Sequence, residues 1–476
     1  MTTEPTVKQL PDGDAVFLST ETDTAWGHIG GMSILDPSGV PDFSFEKLVR
    51  VIEQRLVHVP RFRWKLLEVP FGLDRPYWVE VPDFDVRKHV HRIAVPSPGG
   101  MVELGELAGH LFARPLDRSR PLWEVWYLEG LADGKVAMLM KNHHCLMDGQ
   151  AGVGLAEVLT DLSPDATAPP IVPDVMKEGK PEAPSALGIA VRAARNAIER
   201  QGKRAKHIGV GLRSAVSSLW PGAADEFAPP SWSDVPPLSF NKHVGMRRTF
   251  ACASLDLEEL KDVKKHFDVT LNDVVLEVIG GALRRWLRAK GELPERPIVA
   301  MCPVSLRAEG DQSLSNQITM MPVALATDWG DPADRLRRIS KNSKRSKESV
   351  QQGGFDIMTA MSESMAPGLL GLLMRGMAFA PEESIPLPGN LVVSNVRGTP
   401  IPLYTAGARL ESMYPMSVLQ AGQGLNATVV SYMSKMEFGF TADPDLVPDL
   451  DDLVQAIYRA FEELQAAVEG VVHRAA

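Results

Sequence analysis

Two adjacent histidines, followed by an acidic residue and a glycine, stand out in KNHHCLMDGQAG, residues 141–152. A neutral imidazole can accept a proton near neutral pH, because its ordinary pKa is about 6.5. A general base must also be held in one tautomer and orientation. The carboxylate of Asp148 could orient a ring of His143 or His144, or could anchor the loop on a distant arginine, and Gly149 permits a tight turn. The segment therefore indicates a candidate base, with two ordinary loop histidines as the alternative.

The flanking sequence places the histidines between a strand and a helix. KVAMLM (135–140) is a short apolar run typical of a buried strand, and GQAGVGLAEVLTDL (149–162) has helical spacing. Upstream, GHIGGMSIL (27–35) predicts a strand and FSFEKLVRVIEQRLVHV (43–59) predicts an amphipathic helix. A histidine at such a junction is fixed at its backbone and can project into a crevice.

The second half of the chain repeats this alternation of strands and helices. MRRTFACASL (246–255), PIVAMCPVSL (297–306) and LVVSNV (391–396) read as strands. Asp256 and Glu259 have capping-box spacing before a helix. A second helix begins near Thr270. It carries five apolar side chains inward: Val274, Val278, Leu283, Trp286 and Leu287. The pattern predicts two related α/β domains, at 1–165 and 236–476.

The intervening segment, 166–235, differs in composition. It begins with a proline-rich linker and continues into a basic amphipathic helix at 185–220. Such a helix in an acidic protein can lie on an anionic membrane surface. The alternative is a surface helix that packs its apolar face on the core and leaves its basic face in water. The sequence leaves both interpretations open.

Composition limits the remaining classes. The 476 residues are 44% hydrophobic and 23% charged, as in ordinary globular proteins, and the net charge of -10 gives no general reason to expect nucleic-acid binding. Three dispersed cysteines (Cys145, Cys252 and Cys302) predict neither a disulfide framework nor a metal site and fit a reducing cytoplasm. No secretory leader is evident, and no apolar run reaches the length of a membrane span.

The motifs resemble those of a known superfamily. His143, His144, Asp148 and Gly149 match the HHxxxDG signature of CoA-dependent acyltransferases, which include chloramphenicol acetyltransferase and condensation domains. Further motifs follow in the expected order: PDGDAVFLSTETDTAWGHIGGMSILD near the N-terminus, PLW at 121–123, ND at 272–273, PVSLR at 303–307 and SNVRGTP at 394–400. In this combination the chain resembles the bacterial wax ester synthase/acyl-CoA:diacylglycerol acyltransferase family from about residue 10 to 465.

The resemblance implies a fold and a reaction. The fold would be two chloramphenicol-acetyltransferase-like α/β sandwich domains joined by a helical linker, with the substrate channel between them. A long-chain acyl group would move from acyl-CoA, a substrate, to diacylglycerol or a long-chain alcohol, with His144 as general base and Asp148 in a structural or orienting role. No tightly bound cofactor and no metal would be needed. Since no covalent acyl-enzyme is needed either, Cys145 is not expected to be a nucleophile.

Other positions have less specific roles. By resemblance Asn272 gives polar support near the base, although Thr270 and Asp273 also look like a helix start. Asn395, Arg397 and Gly398 form a turn expected to contact substrate. Many family members have proline where this chain has Arg397, which leaves open which substrate the turn contacts. Two further expectations concern packing and charge: His28 and Trp123 as core or supporting residues, and Arg307 as a solvated strand end or a partner for Asp148 or phosphate.

Two alternatives to the acyl-CoA reaction stay open. One is a condensation-type enzyme that takes its acyl group from a carrier protein, and the other is a non-catalytic lipid-binding protein on the same fold. In the preferred interpretation the protein is cytoplasmic and associates peripherally with the inner face of the membrane or with lipid droplets. No nucleic acid is expected as a partner.

Overall fold

The computed structural model describes residues 7–147, 158–165, 179–218, 227–305, 318–351, 361, 363–377, 379–381 and 387–475, without the side chains of 205–218, 232 and 469–475. The described strands are β1 Lys8–Gln9, β2 His28–Asp36, β3 Trp64–Leu67, β4 Tyr77–Glu80, β5 Val90–Ala94, β6 Trp123–Glu129, β7 Val136–His143, β8 Thr249–Asp256, β9 Val299–Ser305, β10 Ile318–Ala324, β11 Leu391–Val396, β12 Tyr404–Thr405, β13 Ala408–Met416, β14 Leu425–Tyr432 and β15 Lys435–Ala442. The described α-helices are α1 Asp12–Ser19, α2 Phe45–Leu56, α3 Met101–Ala113, α4 Ala186–Ser218, α5 Leu257–Phe267, α6 Leu271–Ala289, α7 Pro332–Gln351, α8 Pro367–Met377 and α9 Leu450–Ala475.

The first six-stranded sheet carries the histidines. Its strand order is β12-β13-β2-β7-β6-β5, and β2 and β7 pair antiparallel with His28 opposite His143. The predicted strands at 27–35 and 135–140 are both present, but β7 runs on to His143. The first histidine of the pair is therefore the last residue of a central strand, and its backbone position is fixed by the sheet.

The second six-stranded sheet has the order β10-β9-β11-β14-β15-β8. Helices α5, α6 and α9 pack their apolar faces on it and form the largest core cluster of the described residues. The apolar side chains predicted to face inward from α6 are all buried there, from Val274 to Leu287. The three strands β1, β4 and β3 make a separate small sheet beside the first one.

The two halves share a strand segment. Strands β12 and β13, which lie at 404–416, leave the second half and complete the edge of the first sheet by pairing β13 with β2. Across this junction the hydroxyls of Ser254 on β8 and Tyr414 on β13 lie 3.2 Å apart, and Arg248 donates a hydrogen bond to the carbonyl oxygen of Thr24. The domain boundaries at 165 and 235 stay a prediction. The segment of β12 and β13, although it lies in the second half of the chain, belongs to the first sheet.

The predicted basic helix is present as α4. Over residues 186–204 the helix does not turn its apolar side toward the protein core. Arg200 is buried and pairs with Asp74, whereas Leu187 and Ile198 are each 75% exposed. The predicted packing of the apolar face on the core is therefore wrong for this stretch, although Arg192, Arg195 and Arg204 are exposed as predicted for a basic face. No helix in the described part of the chain is both long and apolar enough to span a bilayer.

Candidate active site

Strand pairing fixes the backbone of both histidines. The amide of His143 donates to the carbonyl oxygen of Leu122 at 3.0 Å, and the amide of His144 donates to that of Gly27 at 2.7 Å. His143 is buried and His144 is partly exposed. Because side chains on a strand alternate between its faces, the two adjacent rings meet different neighbours.

The His143 ring has partners at both nitrogens. Nε2 lies 2.9 Å from Glu21 Oε1, and Nδ1 accepts a hydrogen bond from the backbone amide of Cys145 at 3.1 Å. A nitrogen that accepts from an amide carries no proton, so the proton sits on Nε2 and is donated to the carboxylate. This neutral tautomer leaves Nδ1 engaged with the backbone. Both ring nitrogens of His143 therefore already have partners within the protein.

Glu21 connects His143 to the preceding loop. Its Oε1 also accepts from the Gly27 amide at 2.8 Å, and its Oε2 pairs with Arg118. Burial opposes ionisation of this carboxyl, but the hydrogen bond from His143 and the charge of Arg118 outweigh it and lower the pKa of Glu21 to about 2. Glu21 is therefore a carboxylate at any working pH. It is the group that fixes the orientation of His143.

Close packing leaves no room for a side chain at Gly27. A Cβ there would lie 2.9 Å from His143 Nε2 and 3.2 Å from the carbonyl oxygen of Phe17. Glycine at this position lets the β2 entry, helix α1 and the His143 ring meet in one place. Close packing therefore requires glycine at the first position of the GHIGG stretch.

The His144 ring is held by stacking. Its centroid lies 3.8 Å from that of Phe17 on α1, and the two ring planes are within 3° of parallel. An offset-stacked aromatic pair of this kind fixes the plane of an imidazole. Of the two histidines, His144 is the one whose ring orientation does not depend on Glu21.

Two buried side chains secure β2 and β7 to the end of α3. The Nδ1–H of His28 donates to the carbonyl oxygen of Phe112 at 3.2 Å, and Lys141 Nζ donates to those of Leu111 and Arg114. Burial, with the nearby charge of Lys141, lowers the pKa of His28 to about 3, so this ring stays neutral. The carbonyls at the C-terminus of a helix favour such donors. The prediction that His28 is a core or supporting residue is confirmed.

Cys145 and Trp123 have the structural roles expected of them. Cys145 is fully buried, and burial raises the pKa of its thiol well above the ordinary value, helped by the negative charges of Asp14 and Glu21. A thiol in such surroundings is not the thiolate that nucleophilic catalysis needs. Trp123 is buried in the core of the first half, and its Nε1 donates to the carbonyl oxygen of Phe62 at 2.8 Å.

Asn272 and Asn395 are brought together at the second sheet. Asn395 Nδ2 donates to Asn272 Oδ1 at 3.3 Å, which joins the end of β11 to the first turn of α6. The helix start predicted from Thr270 and Asp273 is confirmed: each side chain accepts a hydrogen bond from the other's backbone amide. The cap fixes the position of Asn272 in the first turn, while its amide stays engaged with the neighbouring strand. Both predicted roles are therefore compatible at this position.

The turn after β11 places its residues differently. The Arg397 side chain is exposed, whereas Gly398 packs against β14, where a Cβ would lie 2.0 Å from the carbonyl oxygen of Ser431. The amide of Gly398 also donates to Ser431 Oγ at 3.2 Å. The glycine thus anchors the turn, and the arginine beside it is exposed.

Three predicted residues lie outside the described residues: Asp148, Gly149 and Arg307. Within the described ranges, no three or more His, Cys, Asp or Glu side chains are grouped so that they could hold a metal ion. The sequence pattern did not predict which residues would contact the rings of His143 and His144. Glu21 and Phe17 lie in the N-terminal motif PDGDAVFLSTETDTAWGHIGG, and their presence in that shared stretch was the one indication of a role in the site.

The architecture is similar to that of condensation domains. The first condensation domain of the calcium-dependent antibiotic synthetase superposes with a TM-score of 0.57 at 16% identity, covering 98% of this chain and 97% of that domain. This likeness concerns the fold alone. It confirms the predicted pair of chloramphenicol-acetyltransferase-like α/β halves.

The sequence comparisons are more specific. Residues 10–275 match the wax ester synthase/diacylglycerol acyltransferase catalytic domain, and residues 314–465 match the WS/DGAT C-terminal domain. The wax ester synthase/diacylglycerol acyltransferase from Marinobacter aquaeolei VT8 superposes with a TM-score of 0.70 at 26% identity, over 97% of this chain and 100% of that one.

Two curated relatives extend this similarity over almost the whole chain. A Mycobacterium tuberculosis protein named for diacylglycerol O-acyltransferase activity is 34% identical over 96% of this chain and 90% of its own length. The O-acyltransferase WSD of Acinetobacter baylyi is 34% identical over 96% of both chains. The chain belongs to the wax ester synthase/diacylglycerol acyltransferase family.

Proposed function

We propose that this protein is an O-acyltransferase that moves a long-chain acyl group from acyl-CoA to diacylglycerol, and also to long-chain alcohols, with His144 as the general base. The family and the names of its relatives support the reaction class. The observation that carries the choice of base is the engagement of both His143 nitrogens, one by Glu21 and one by the Cys145 amide. In the HHxxxDG signature the second histidine takes the acceptor proton, and here that histidine is His144, whose ring is stacked on Phe17.

The reaction balances without a cofactor. The acceptor hydroxyl oxygen attacks the thioester carbonyl carbon while its proton passes to the His144 imidazole. The tetrahedral intermediate then expels the CoA sulfur, which takes the proton back from the imidazolium, so that the products are an oxygen ester and free CoA. Holding hydroxyl, base and thioester in line supplies a large part of the rate, and no acyl-enzyme is needed.

Polar groups of the second half would assist this step. Asn272 Oδ1 accepts from Asn395, an arrangement that leaves the Asn272 amide group oriented as a donor. We place this donor near the developing oxyanion, where one well-aimed hydrogen bond is worth roughly 3 kcal/mol of barrier. The turn of Asn395, Arg397 and Gly398 would contact substrate. In this role the exposed Arg397 guanidinium is suited to a phosphate of acyl-CoA.

A substrate panel tests the proposal against its alternatives. Purified protein is given a long-chain acyl-CoA with diacylglycerol or a long-chain alcohol, and release of free CoA and of ester is followed. Wild type should form both, and His144→Ala should lose them while unfolding at a similar temperature. Success with a carrier-bound thioester alone would favour a condensation enzyme. Lipid binding without CoA release at any acyl length would favour a non-catalytic protein.

Both proposed acceptors are water-insoluble, so we also propose that the protein works peripherally at a membrane or lipid-droplet surface. The amphipathic helix α4 supports this placement, because Leu187, Val191 and Ile198 form an exposed apolar stripe along residues 186–204. Co-sedimentation with vesicles is the direct measurement.

A further inference from the structure

Helix α4 is docked with its polar side inward. Its inward stripe contains Asn196, which donates to Gln9 and Asp74, and Arg200, which is ion-paired with Asp74 at 2.8 Å. Lys203, one turn further, pairs with Asp12 at 3.0 Å. These residues recur every three or four positions and so occupy one side of the helix. Ionic and amide contacts therefore contribute to holding α4 on the protein, beside the half-buried Ile189 and Ala193 on the same side.

The outward stripe of the same helix is apolar. Leu187, Val191, Ala194 and Ile198 are exposed, and at about 100° per residue they lie on the side opposite Asn196 and Arg200. Water-soluble helices normally bury such a stripe. Here the ion pairs prevent the helix from turning it inward, because rotation would leave Asp74, which is 1% exposed, without its cation.

The apolar surface continues onto the loop beneath α4. Arg200 also donates to the carbonyl oxygen of Leu73 at 2.9 Å, so the loop and the helix are in direct contact. Leu73 is half exposed, and Phe71 is 93% exposed with a left-handed φ of 57°. A bulky residue in this strained conformation, with its ring in solvent, is unusual unless another surface covers it.

Helix α8 extends the surface further. A Cβ on Gly72 would lie 2.6 Å from the Cα of Gly368, so the loop and the start of α8 touch backbone to backbone. Leu369, Leu372 and Leu373 on this helix are exposed. We call the exposed apolar side chains of α4 (186–204), residues 71–73 and α8, taken together, the apolar platform.

The charges around the apolar platform favour one kind of partner. Arg192, Arg204 and Arg375 are exposed on its two helices, and Arg195 pairs with Glu199, the one acidic residue in 186–204. A second copy docked by two-fold symmetry would bring these arginines against each other. An apolar surface bordered by cations fits the headgroup and acyl boundary of an anionic lipid surface.

The apolar platform also lies next to the helix that supports His144. Helix α1 carries Phe17 on its site-facing side, and its other side packs on α8, where a Cβ on Gly371 would lie 3.1 Å from the carbonyl oxygen of Ser19. A narrow crevice between α1, α4 and α8 is lined by apolar residues, among them Ala15, Val16 and Leu370, and by the charged residues Asp12, Arg75 and Arg200. One helix thus separates the platform from the candidate base.

We infer that the apolar platform docks on an anionic lipid surface and that the acceptor lipid passes from that surface to His144 along α1. This inference rests on the proposed acyl transfer, and it adds the docking face and the side of entry. The inward ion pairs of α4 hold the helix in place.

The test replaces the outward stripe and compares it with apolar residues exposed elsewhere. Leu187→Gln/Val191→Gln/Ile198→Gln removes the stripe while keeping a good helix former at each position. The matched control, Val57→Gln/Met101→Gln/Val102→Gln, removes three other exposed apolar side chains. Co-sedimentation with phosphatidylcholine vesicles, with and without phosphatidylglycerol, should give at least about tenfold weaker partition for the stripe variant and an unchanged value for the control.

Activity separates docking from chemistry. With long-chain acyl-CoA and a short, water-soluble alcohol, the stripe variant should release CoA at the wild-type rate. With diacylglycerol in vesicles its rate should fall in proportion to the lost partition. Equal vesicle binding by both triple variants would overturn the inference. A change of oligomeric state in the stripe variant, without a change in vesicle binding, would also overturn it by naming a second copy as the occupant. Failure of wild type to release CoA with every acceptor, soluble or in vesicles, would refute the acyl transfer and leave the vesicle result readable by itself.

Discussion

Replacing Glu21 by glutamine separates a structural histidine from a catalytic one. The folded protein lowers the pKa of Glu21 from 4.5 to about 2, against the opposing effect of burial, through the His143 hydrogen bond and the charge of Arg118. That lowering corresponds to about 3 kcal/mol of stability from ionising this one group. The side chain is 12% exposed, so solvent screens little of this energy.

The sign of the pH dependence follows from the direction of the shift. Because the folded pKa lies below the unfolded one, the stabilisation is complete above pH 4.5 and is lost as the pH falls toward 2. Urea unfolding should place Glu21→Gln about 3 kcal/mol below wild type at pH 7 and about 2 kcal/mol below it at pH 3.5. Glu68→Gln is the matched control, since Glu68 also pairs with Arg118 but is half exposed. We expect it to cost less than about 1 kcal/mol.

The activity of Glu21→Gln tests the assignment of roles. The glutamine oxygen can still accept from His143 Nε2–H and from the Gly27 amide, so the His143 tautomer is kept. If His143 only holds the loop, kcat/KM should fall by less than about tenfold. A loss of about 10⁴, as when the carboxylate behind a catalytic histidine is removed, would make His143 the base and refute the reasoning.

Three further substitutions test the contacts around the site. Gly27→Ala should lower both thermal stability and activity, because its Cβ would lie 2.9 Å from His143 Nε2, whereas Gly39→Ala, with open space around it, should change neither. Cys145→Ala should keep its rate of CoA release within about threefold, since general-base transfer needs no thiolate, and a complete loss would revive a nucleophilic thiol. Phe17→Leu should lower kcat by about tenfold at unchanged KM in a folded protein, because the stacked ring behind the base is lost; a change in KM alone would argue against this role.

Many secondary-structure elements could be predicted from local sequence patterns alone. Helix α5 begins at Leu257, directly after the predicted cap, because the Asp256 side chain accepts hydrogen bonds from the first amides. Strand β11 coincides with the apolar run 391–396. In both cases the determining interactions lie within one turn or one strand, which a sequence displays directly.

Contacts between segments that are far apart in the chain could not be predicted from the sequence. Glu21 and His143 are 122 residues apart, and the residue spacing had suggested the nearby Asp148 as the orienting carboxylate. The orientation of α4 depends on the pairing of Arg200 with Asp74, 126 residues away, so the periodicity predicted the helix but not which side faces the protein. The transfer of β13 to the first sheet is likewise a long-range pairing that no local pattern specifies.

The rate of CoA release by His144→Ala, beside wild type and His143→Ala, tests the central claim most directly. The assay uses a saturating long-chain acyl-CoA and a soluble alcohol, and circular dichroism establishes that each variant is folded. If His144 takes the acceptor proton, its loss should slow release by 10² to 10⁴ without lowering the unfolding temperature by more than a few degrees. The loss at His143 should instead appear mainly in stability. A folded His144→Ala protein within about threefold of the wild-type rate would contradict the account.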